Sequence, residues 1–220
     1  MGCRLISILT TFIDHITITT PTLEAGEKLV QDALGVSPQK GGKHPKMGTH
    51  NLFLRLGDTL FLEVIACNPK AEKPKRPRWF ALDEINDNTP ASLKTWVVRT
   101  SDINTSVENC TESVGNIESM SRGETEWLIT IPEDGSLPMN GGAPALIQWQ
   151  DSDSHPATKL NDYGLSLVEL HIYHPKPKKI LGFLNAINLK DKVRISKADE
   201  TRLVATIDTP AGLKTLASQL

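Results

Sequence analysis

The stretches Asp14-His15-Ile16-Thr17-Ile18 and Phe61-Leu62-Glu63-Val64-Ile65 are short apolar runs, each with one metal-capable side chain set among its apolar residues. Both are typical of β-strands, in which successive side chains alternate between two faces. A third such side chain, His50, stands at the start of another strand-like segment. Two imidazoles and one carboxylate from neighbouring strands make a facial ligand set with open coordination positions. The sequence therefore predicts a small-molecule site in a cup-shaped sheet, with His15, His50 and Glu63 binding one divalent ion.

A hairpin determines how His50 and Glu63 are expected to meet. Gly57-Asp58 indicates a two-residue turn between the strands on either side. With that turn, His50 is expected opposite Ile65 and therefore diagonal to Glu63 on the same face. Diagonal neighbours of this kind lie roughly 7–8 Å apart, within joint reach of one ion.

The order of predicted elements repeats along the chain. A helix at 23–34, capped by Thr22 and ended by Gly35, follows the first strand, and a hairpin follows the helix. The predicted units are 12–68, a first βαβββ module; 69–92, a linker or rim loop; 93–151, a second βαβββ-like module; and 164–220, a C-terminal βαββ unit. The predicted fold class is α+β, with repeated modules forming a curved mixed sheet.

Composition narrows the class of protein. The 220 residues have a net charge of -2 and an aromatic content of 5%, which disfavours a nucleic-acid binder. The N-terminal apolar run is too weak for a secretory signal or a membrane span, so no membrane partner is expected. The 3 cysteines form no CxxC pair, which disfavours disulfides and zinc–thiolate sites and fits a reducing compartment. A cytoplasmic location is expected.

Three stretches resemble the glyoxalase-like subfamily of the vicinal oxygen chelate superfamily. They are DHITITTPTLEAGEKLVQDALGV (14–36), KHPKMGTHNLFLRLGDTLFLEVIACNP (43–69) and RWFALD (78–83). This superfamily includes glyoxalase I, extradiol dioxygenases, fosfomycin-resistance proteins and bleomycin-binding proteins. The resemblance implies a metal site whose ligands include the His of a module's first strand and the Glu of its last, here His15 and Glu63. The expected cofactor is Fe, Mn, Ni or Zn, with no metal as the alternative.

The second module departs from this pattern. Its first strand, LKTWVVRT (93–100), has no His, and Gln148 stands where a Glu is expected. Because Gln is a poor ligand for transition metals, an incomplete site is an open alternative, completed by His50 or by His171.

Further residues are predicted to contact the substrate, namely Asn51, Arg78, Trp79 and Gln148. Arg78 and Trp79 belong to the RWFALD stretch and are expected to close over the cup, although core packing is a strong alternative for Trp79. Glu63 is the candidate general base beside the metal.

The predicted function is that of a metal-dependent lyase, isomerase or dioxygenase acting on a small oxygen-rich molecule. The alternatives are a non-catalytic protein that sequesters a small molecule, as bleomycin-binding relatives do, and an interaction scaffold with a degenerate cup. A homodimer is left open, because dimers are common in the resembled superfamily.

Overall fold

The computed structural model describes residues 9–151 and 155–219, which form two β-sheets, three α-helices and several short 3₁₀ helices within these ranges. The strands are β1 (Thr11–Thr19), β2 (Gln39–His44), β3 (Thr49–Arg55), β4 (Phe61–Cys67), β5 (Ser92–Thr100), β6 (Asn116–Arg122), β7 (Thr125–Ile131), β8 (Ala145–Trp149), β9 (Ser166–His174), β10 (Val193–Lys197), β11 (Arg202–Thr209) and β12 (Gly212–Ala217). The α-helices are α1 (Leu23–Leu34), α2 (Ile103–Asn109) and α3 (Pro177–Ala186).

The larger sheet has eight strands in the order β2-β3-β4-β1-β5-β8-β7-β6. β1 runs parallel to β4 and antiparallel to β5, and β5 runs parallel to β8, so the sheet is mixed. The two halves are arranged alike about the β1–β5 pair. The edge strands approach each other, since Lys46 Nζ lies 2.7 Å from Glu118 Oε2 across the opening. The sheet is therefore a curled half-barrel, which confirms the predicted fold class.

The two faces of this sheet carry different side chains. On β1, Ile16 and Ile18 point to the convex face and join the main apolar core, which helix α1 covers. His15 and Thr17 alternate with them and point to the concave face. A separate cluster lines that face, with Ile65 from β4 and Val97 from β5 among its members. The concave face is thus the cup in which polar residues of β1 and β4 can meet.

Helix α1 begins and ends where local signals place it. The Thr22 hydroxyl accepts a hydrogen bond from the Ala25 amide at 3.2 Å, and Gly35 ends the helix with a φ of 76°. Such an N-cap and a left-handed glycine satisfy backbone groups that have no partner inside the helix. The predicted helix 23–34 is confirmed. Helix α2 is capped in the same way by Asp102, whose side chain accepts a hydrogen bond from the Thr105 amide at 3.1 Å.

The C-terminal residues form a different arrangement. Their sheet has the order β10-β9-β11-β12, with β9 between a parallel and an antiparallel neighbour. Both neighbours of β9 therefore belong to its own unit, whereas β1 has one neighbour, β4, from its own module and another, β5, from the next module. The unit also has a further strand, β12, that was not predicted. Side chains of α3 and β11 join the main core on the convex face of the large sheet.

Within residues 9–151 and 155–219, none of the helices has the length and apolar character needed to span a membrane.

Candidate functional site

A β-bulge places Asp14 beside His15 in the cup. The pairing of β1 with β5 shifts between Ile13, opposite Val98, and His15, opposite Val97. Asp14 is therefore an extra residue without a partner of its own, and such a bulge re-aims side chains that would otherwise point to opposite faces. Asp14 Oδ1 consequently lies 2.6 Å from His15 Nδ1.

Asp14 is fully buried and accepts hydrogen bonds from distant residues. Trp149 Nε1 donates to its Oδ2 at 2.8 Å, and His155 Nε2 lies 3.0 Å from the same oxygen. Burial alone would raise the pKa of this carboxyl, but the hydrogen bonds from the imidazoles of His15 and His155, with their electrostatic attraction, lower it well below its usual value. Asp14 is thus a carboxylate that only accepts hydrogen bonds.

The hydrogen bonds assign the protons of both histidines. His155 Nδ1 accepts from the Ala157 amide at 3.3 Å, so the ring proton is on Nε2 and is donated to Asp14. Since Asp14 can only accept, His15 donates from Nδ1. His15 Nε2 then faces Glu63, with 3.6 Å between it and Glu63 Oε2. The ring of Phe61 stacks on His15 at 4.6 Å and fixes the imidazole plane.

Glu63 is a buried carboxylate held from its other side by Asn51. Asn51 Nδ2 donates to Glu63 Oε1 at 2.6 Å, and Asn51 Oδ1 accepts from the Gly42 amide at 2.8 Å. A Cβ at Gly41 would overlap the Asn51 side chain, so a glycine there permits this close approach. Because an unpaired buried carboxylate is costly, these contacts explain how Glu63 is tolerated in an apolar strand.

His44 continues the polar network behind Asn51. Its Nε2 lies 3.4 Å from Asn51 Nδ2, and its Nδ1 lies 3.0 Å from the hydroxyl of Thr49. Burial, with smaller contributions from the charges of Arg122 and His50, lowers the pKa of His44 to about 3. The imidazole is therefore neutral and supports the orientation of Asn51.

Arg122 brings a positive charge into the cup from the opposite edge of the sheet. Its guanidinium carbon lies 4.8 Å from the centre of the Phe53 ring and 6.0 Å from that of Trp127. Burial lowers the pKa of Arg122, whereas the charge of Glu63 raises it, and arginine remains a cation in proteins. The guanidinium makes no hydrogen bond to residues 9–151 or 155–219, so its donors are available to an anion.

The cup is narrow and largely aromatic. Its ring side chains are Phe53, Phe61, Trp79, Phe80, Trp127 and Trp149. The free volume is about 30 Å³, comparable to one water molecule. Trp79 and Phe80 belong to a segment in which Phe80 and Ala81 have φ values of 57° and 53°. Left-handed backbone at two successive non-glycine residues is strained, which is a feature of sites that change conformation.

Two buried hydroxyls beside Glu63 have no hydrogen-bond partner in the described protein. In the strand register Thr17 lies opposite Glu63 on one side and opposite Thr95 on the other. The Oγ1 atoms of both threonines are fully buried and unpaired. Leaving a buried polar group unpaired costs about 1–3 kcal/mol, so these two hydroxyls, which lie beneath the cup lining, lower the stability of the described structure.

The predicted position of His50 is wrong. β3 and β4 are joined by a longer turn than predicted, and His50 lies opposite Ala66, not Ile65. A shift of one residue moves a side chain to the other face of a sheet. His50 is therefore on the convex side, near Glu24 of α1, and burial lowers its pKa. The predicted set of His15, His50 and Glu63 is not assembled.

Of the other residues that the sequence analysis proposed for the site, some lie in the cup and others lie outside it. Asn51 and Trp79 lie in the cup, as described above. Arg78 donates to Asp83 Oδ1 at 2.5 Å and lies in the loop outside the cup lining. Gln148 lies outside the cup and accepts from the Ile103 amide at 2.8 Å, at the start of α2. His171 is bonded to Ser196 on the smaller sheet.

Sequence reasoning missed four residues of the site. Asp14 was not among the predicted site residues, and its adjacency to His15 is the one signal of it in the sequence. His44, Arg122 and His155 are isolated in the sequence and come from other elements, so local patterns do not indicate them.

The cup presents too few donors for a divalent ion. His15 Nε2 and Glu63 are two donors close enough to share one ion. Within residues 9–151 and 155–219, however, no group of three or more His, Cys, Asp or Glu side chains is placed to hold a metal. Catalytic zinc sites typically have three protein ligands, and Arg122 adds a positive charge beside this pair. The described residues therefore do not make a complete metal site.

A family model and a solved structure both match most of this chain. A family model described as a glyoxalase-like domain matches residues 13–187. A hypothetical protein from Staphylococcus aureus superposes with a TM-score of 0.64 at 17% identity, over 87% of this chain and 88% of the other. The Mn(II)-bound glyoxalase from Novosphingobium aromaticivorans gives 0.47 at 8% identity, over 94% and 82%.

A weaker structural match is a variant of methylmalonyl-CoA epimerase from Streptomyces coelicolor in complex with 2-nitronate-propionyl-CoA. It gives a TM-score of 0.40 at 15% identity, over 63% of this chain and 97% of the other. No curated protein gave a significant sequence match.

Proposed function

This chain belongs to the glyoxalase-like domain family of the vicinal oxygen chelate superfamily, and we propose that its cup catalyses proton transfer on a small oxygen-rich anion. The reaction class is an isomerisation or lyase step that begins by removing a proton from carbon next to a carbonyl. The observation that carries this proposal is the placement of Glu63 Oε2 3.6 Å from His15 Nε2, with Glu63 Oε1 held by Asn51.

Glu63 is the proposed general base. Its carboxylate accepts the proton from the substrate carbon, and the electron pair of the broken C–H bond moves toward the carbonyl oxygen. Return of a proton from Glu63 to the other face of the same carbon completes an isomerisation without another reactant. With a 2-hydroxy carbonyl compound, return to the former carbonyl carbon does the same, as the hydroxyl proton passes to the other oxygen. A proton held on Glu63 can exchange with solvent before it returns, so deuterium enters the C–H position in D₂O. Groups of this kind contribute about a hundredfold to ten-thousandfold to rates.

His15 and Asn51 support that base from opposite sides. With its proton on Nδ1, His15 presents a lone pair on Nε2 that can share the proton taken by Glu63. The buried Asp14 carboxylate stabilises the imidazolium that forms when this proton is shared. Asn51 donates to the other carboxylate oxygen and keeps Glu63 oriented.

Arg122 is the proposed partner of the substrate's negative charge. Its donors have no hydrogen-bond partner in the described protein, and its planar group suits a carboxylate or an enolate oxygen. A substrate needs more than the present 30 Å³, so entry requires movement of the strained segment that carries Trp79 and Phe80.

The resemblance implies metal dependence, but the described residues do not make a complete metal site. Two protein donors are present in the described cup, and the roles above need only the side chains of this chain.

The test is solvent exchange at carbon. Small 2-oxo acids, 2-hydroxyketones and the hemithioacetal of methylglyoxal are incubated with the protein in D₂O and followed by proton NMR. Enzyme-dependent loss of a C–H signal is expected, with a drop of about a hundredfold or more in Glu63→Gln. Glu108→Gln, which changes an exposed glutamate of α2, is the matched control and keeps the wild-type rate. Equal exchange in wild type and Glu63→Gln contradicts the assignment of the base.

The aromatic lining favours non-catalytic binding as a second candidate function. Phe53, Phe61, Trp127 and Trp149 form a lining that suits a flat ligand, whether or not it reacts. A sequestering protein gains thermal stability from its ligand without changing it, because only the native state binds. A compound from the same panel that raises the melting temperature and exchanges no proton supports this candidate.

A further inference from the structure

A second cavity lies beside the cup, where β5 and β8 end and β1 begins. Its volume is about 550 Å³, within the range of small-molecule sites. Trp149 and His155 lie between the two cavities and line both the second cavity and the surroundings of Asp14. None of the roles proposed for Glu63 or Arg122 uses this second cavity.

Arg99 gives the second cavity a positive charge. Among the described residues that line it there is no carboxylate, and Arg99 is the one charged side chain. His155 adds no charge, since its Nδ1 accepts from the Ala157 amide and its Nε2 proton is donated to Asp14. The cavity therefore favours a negatively charged occupant.

The protein fixes the orientation of the Arg99 guanidinium. Nη1 donates to the carbonyl oxygens of Ile13 at 2.8 Å and of Thr59 at 2.6 Å, and Nη2 donates to the Thr59 hydroxyl at 3.0 Å. Of the five N–H groups, the Nε proton and one Nη2 proton are left without a protein partner in the described chain. Two donors on one edge of a rigid planar group match the two oxygens of a carboxylate.

Apolar surface lies next to this charge. The ring of Phe12 is 37% exposed, and its centre lies 5.3 Å from the Arg99 guanidinium carbon. The indole of Trp149, held by its hydrogen bond to Asp14, forms another part of the wall. A ligand with a flat apolar group can contact these rings while its charged end reaches Arg99.

We infer that this second cavity binds a small organic carboxylate with a flat apolar group. The carboxylate lies on the free edge of Arg99, and the apolar group contacts Phe12 or Trp149. The inference does not rest on the proposed reaction in the cup, because its residues and its charge are separate from Glu63 and Arg122.

The test uses benzoate as the probe, with titration calorimetry for affinity and ¹H–¹⁵N NMR of the Trp149 indole for location. Benzyl alcohol has the same ring without the charge, and inorganic phosphate has the charge without the ring. Benzoate is expected to bind and to shift the Trp149 indole signal. That signal is identified by its absence from the spectrum of Trp149→Phe. Benzyl alcohol and phosphate are each expected to bind about tenfold or more weakly than benzoate.

Variants separate the second cavity from the cup. Arg99→Lys removes the planar edge and lowers benzoate affinity about tenfold or more, whereas Arg194→Lys, an exposed arginine of the smaller sheet, leaves it unchanged. If Arg99→Lys does not fold, Ser101→Phe takes its place as the test. The exposed Ser101 lines the cavity, and the larger side chain reduces its space, so benzoate affinity should fall.

Absence of benzoate binding to the wild type overturns the inference. So does equal affinity for benzyl alcohol or phosphate, or affinity that depends on Arg122 and not on Arg99. The proposed reaction in the cup is tested separately by proton exchange, so either proposal can fail alone.

Discussion

The carboxylate of Asp14 lies 2.6 Å from the imidazole of His15, its neighbour in the sequence, because a β-bulge in β1 turns both side chains to one region. In a regular strand the two would point to opposite faces. The bulge thus buries a carboxylate behind His15 and directs the other ring nitrogen toward Glu63. This arrangement resembles the orientation of a catalytic imidazole by a buried carboxylate.

The first prediction concerns the ring protons of these residues. Long-range ¹H–¹⁵N spectra of histidine-labelled protein at pH 7 should show His15 with a proton on Nδ1 and His155 with a proton on Nε2. Asp14→Asn should change the His15 pattern, because the amide can donate as well as accept. His174, which accepts from the Lys176 amide away from the cup, should not respond and serves as the internal control. An Nε2-only proton on wild-type His15 contradicts the assigned network.

The second prediction concerns acid stability. Burial lowers the pKa of His44 to about 3. In the unfolded chain His44 therefore binds a proton below about pH 6.5, whereas in the folded protein it stays neutral down to about pH 3. Stability is therefore highest above pH 6.5 and falls as the pH decreases toward about 3, by up to about 1.4 kcal/mol per unit. Urea unfolding at pH 7, 6 and 5 should show this slope in the wild type and a smaller one in His44→Gln. Asp14 contributes little between pH 7 and pH 5, because its carboxyl in the unfolded chain binds a proton only near its ordinary pKa of 3.8. Identical slopes in the two proteins count against the prediction.

The third prediction compares two histidines that the sequence placed in one site. His15→Ala leaves Asp14 buried with one donor fewer and should lower the free energy of unfolding by about 3 kcal/mol. His50→Ala changes a half-buried residue on the convex face and should cost about 1 kcal/mol or less. Denaturant titration at pH 7 measures both. A similar loss in the two variants means that the register of β3 and β4 is not as described.

The fourth prediction concerns the unpaired hydroxyls beneath the cup lining. Thr95→Val replaces a buried, unpaired hydroxyl by a methyl group and should raise the stability of the free protein by about 1 kcal/mol. Thr49→Val is the matched control, since its buried hydroxyl is bonded to His44 and its loss should destabilise the protein. Thermal unfolding measures both. Destabilisation by Thr95→Val means that the hydroxyl is not unpaired.

Local signals in the sequence predicted the elements well. Thr22 and Gly35 define helix α1 through contacts within the helix itself, so the sequence contains nearly all the information needed. The same holds for most strands, whose apolar alternation is local. The hairpins predicted a mixed sheet, and the family resemblance implied the same curved arrangement.

The composition of the site was harder to predict because it depends on register. Leu56 N donates to Leu60 O at 2.9 Å, so the turn between β3 and β4 is wider than the two residues suggested by Gly57-Asp58. This difference of one residue in the register of β3 and β4 places His50 outside the cup. The bulge at Asp14 depends in turn on pairing with β5, and the partners Trp149 and His155 are 135 and 141 residues away. Long-range packing of this kind leaves no local pattern.

The most direct test of the central claim is proton exchange by protein that is free of metal. The protein is dialysed against a chelator, its Mn, Fe, Ni and Zn contents are measured by elemental analysis, and exchange into the most active compound of the panel is followed in D₂O. If Glu63 and His15 form the catalytic acid–base pair, exchange persists in the metal-free wild type and is lost in Glu63→Gln. Exchange that disappears on chelation and returns with one of these metals contradicts the account.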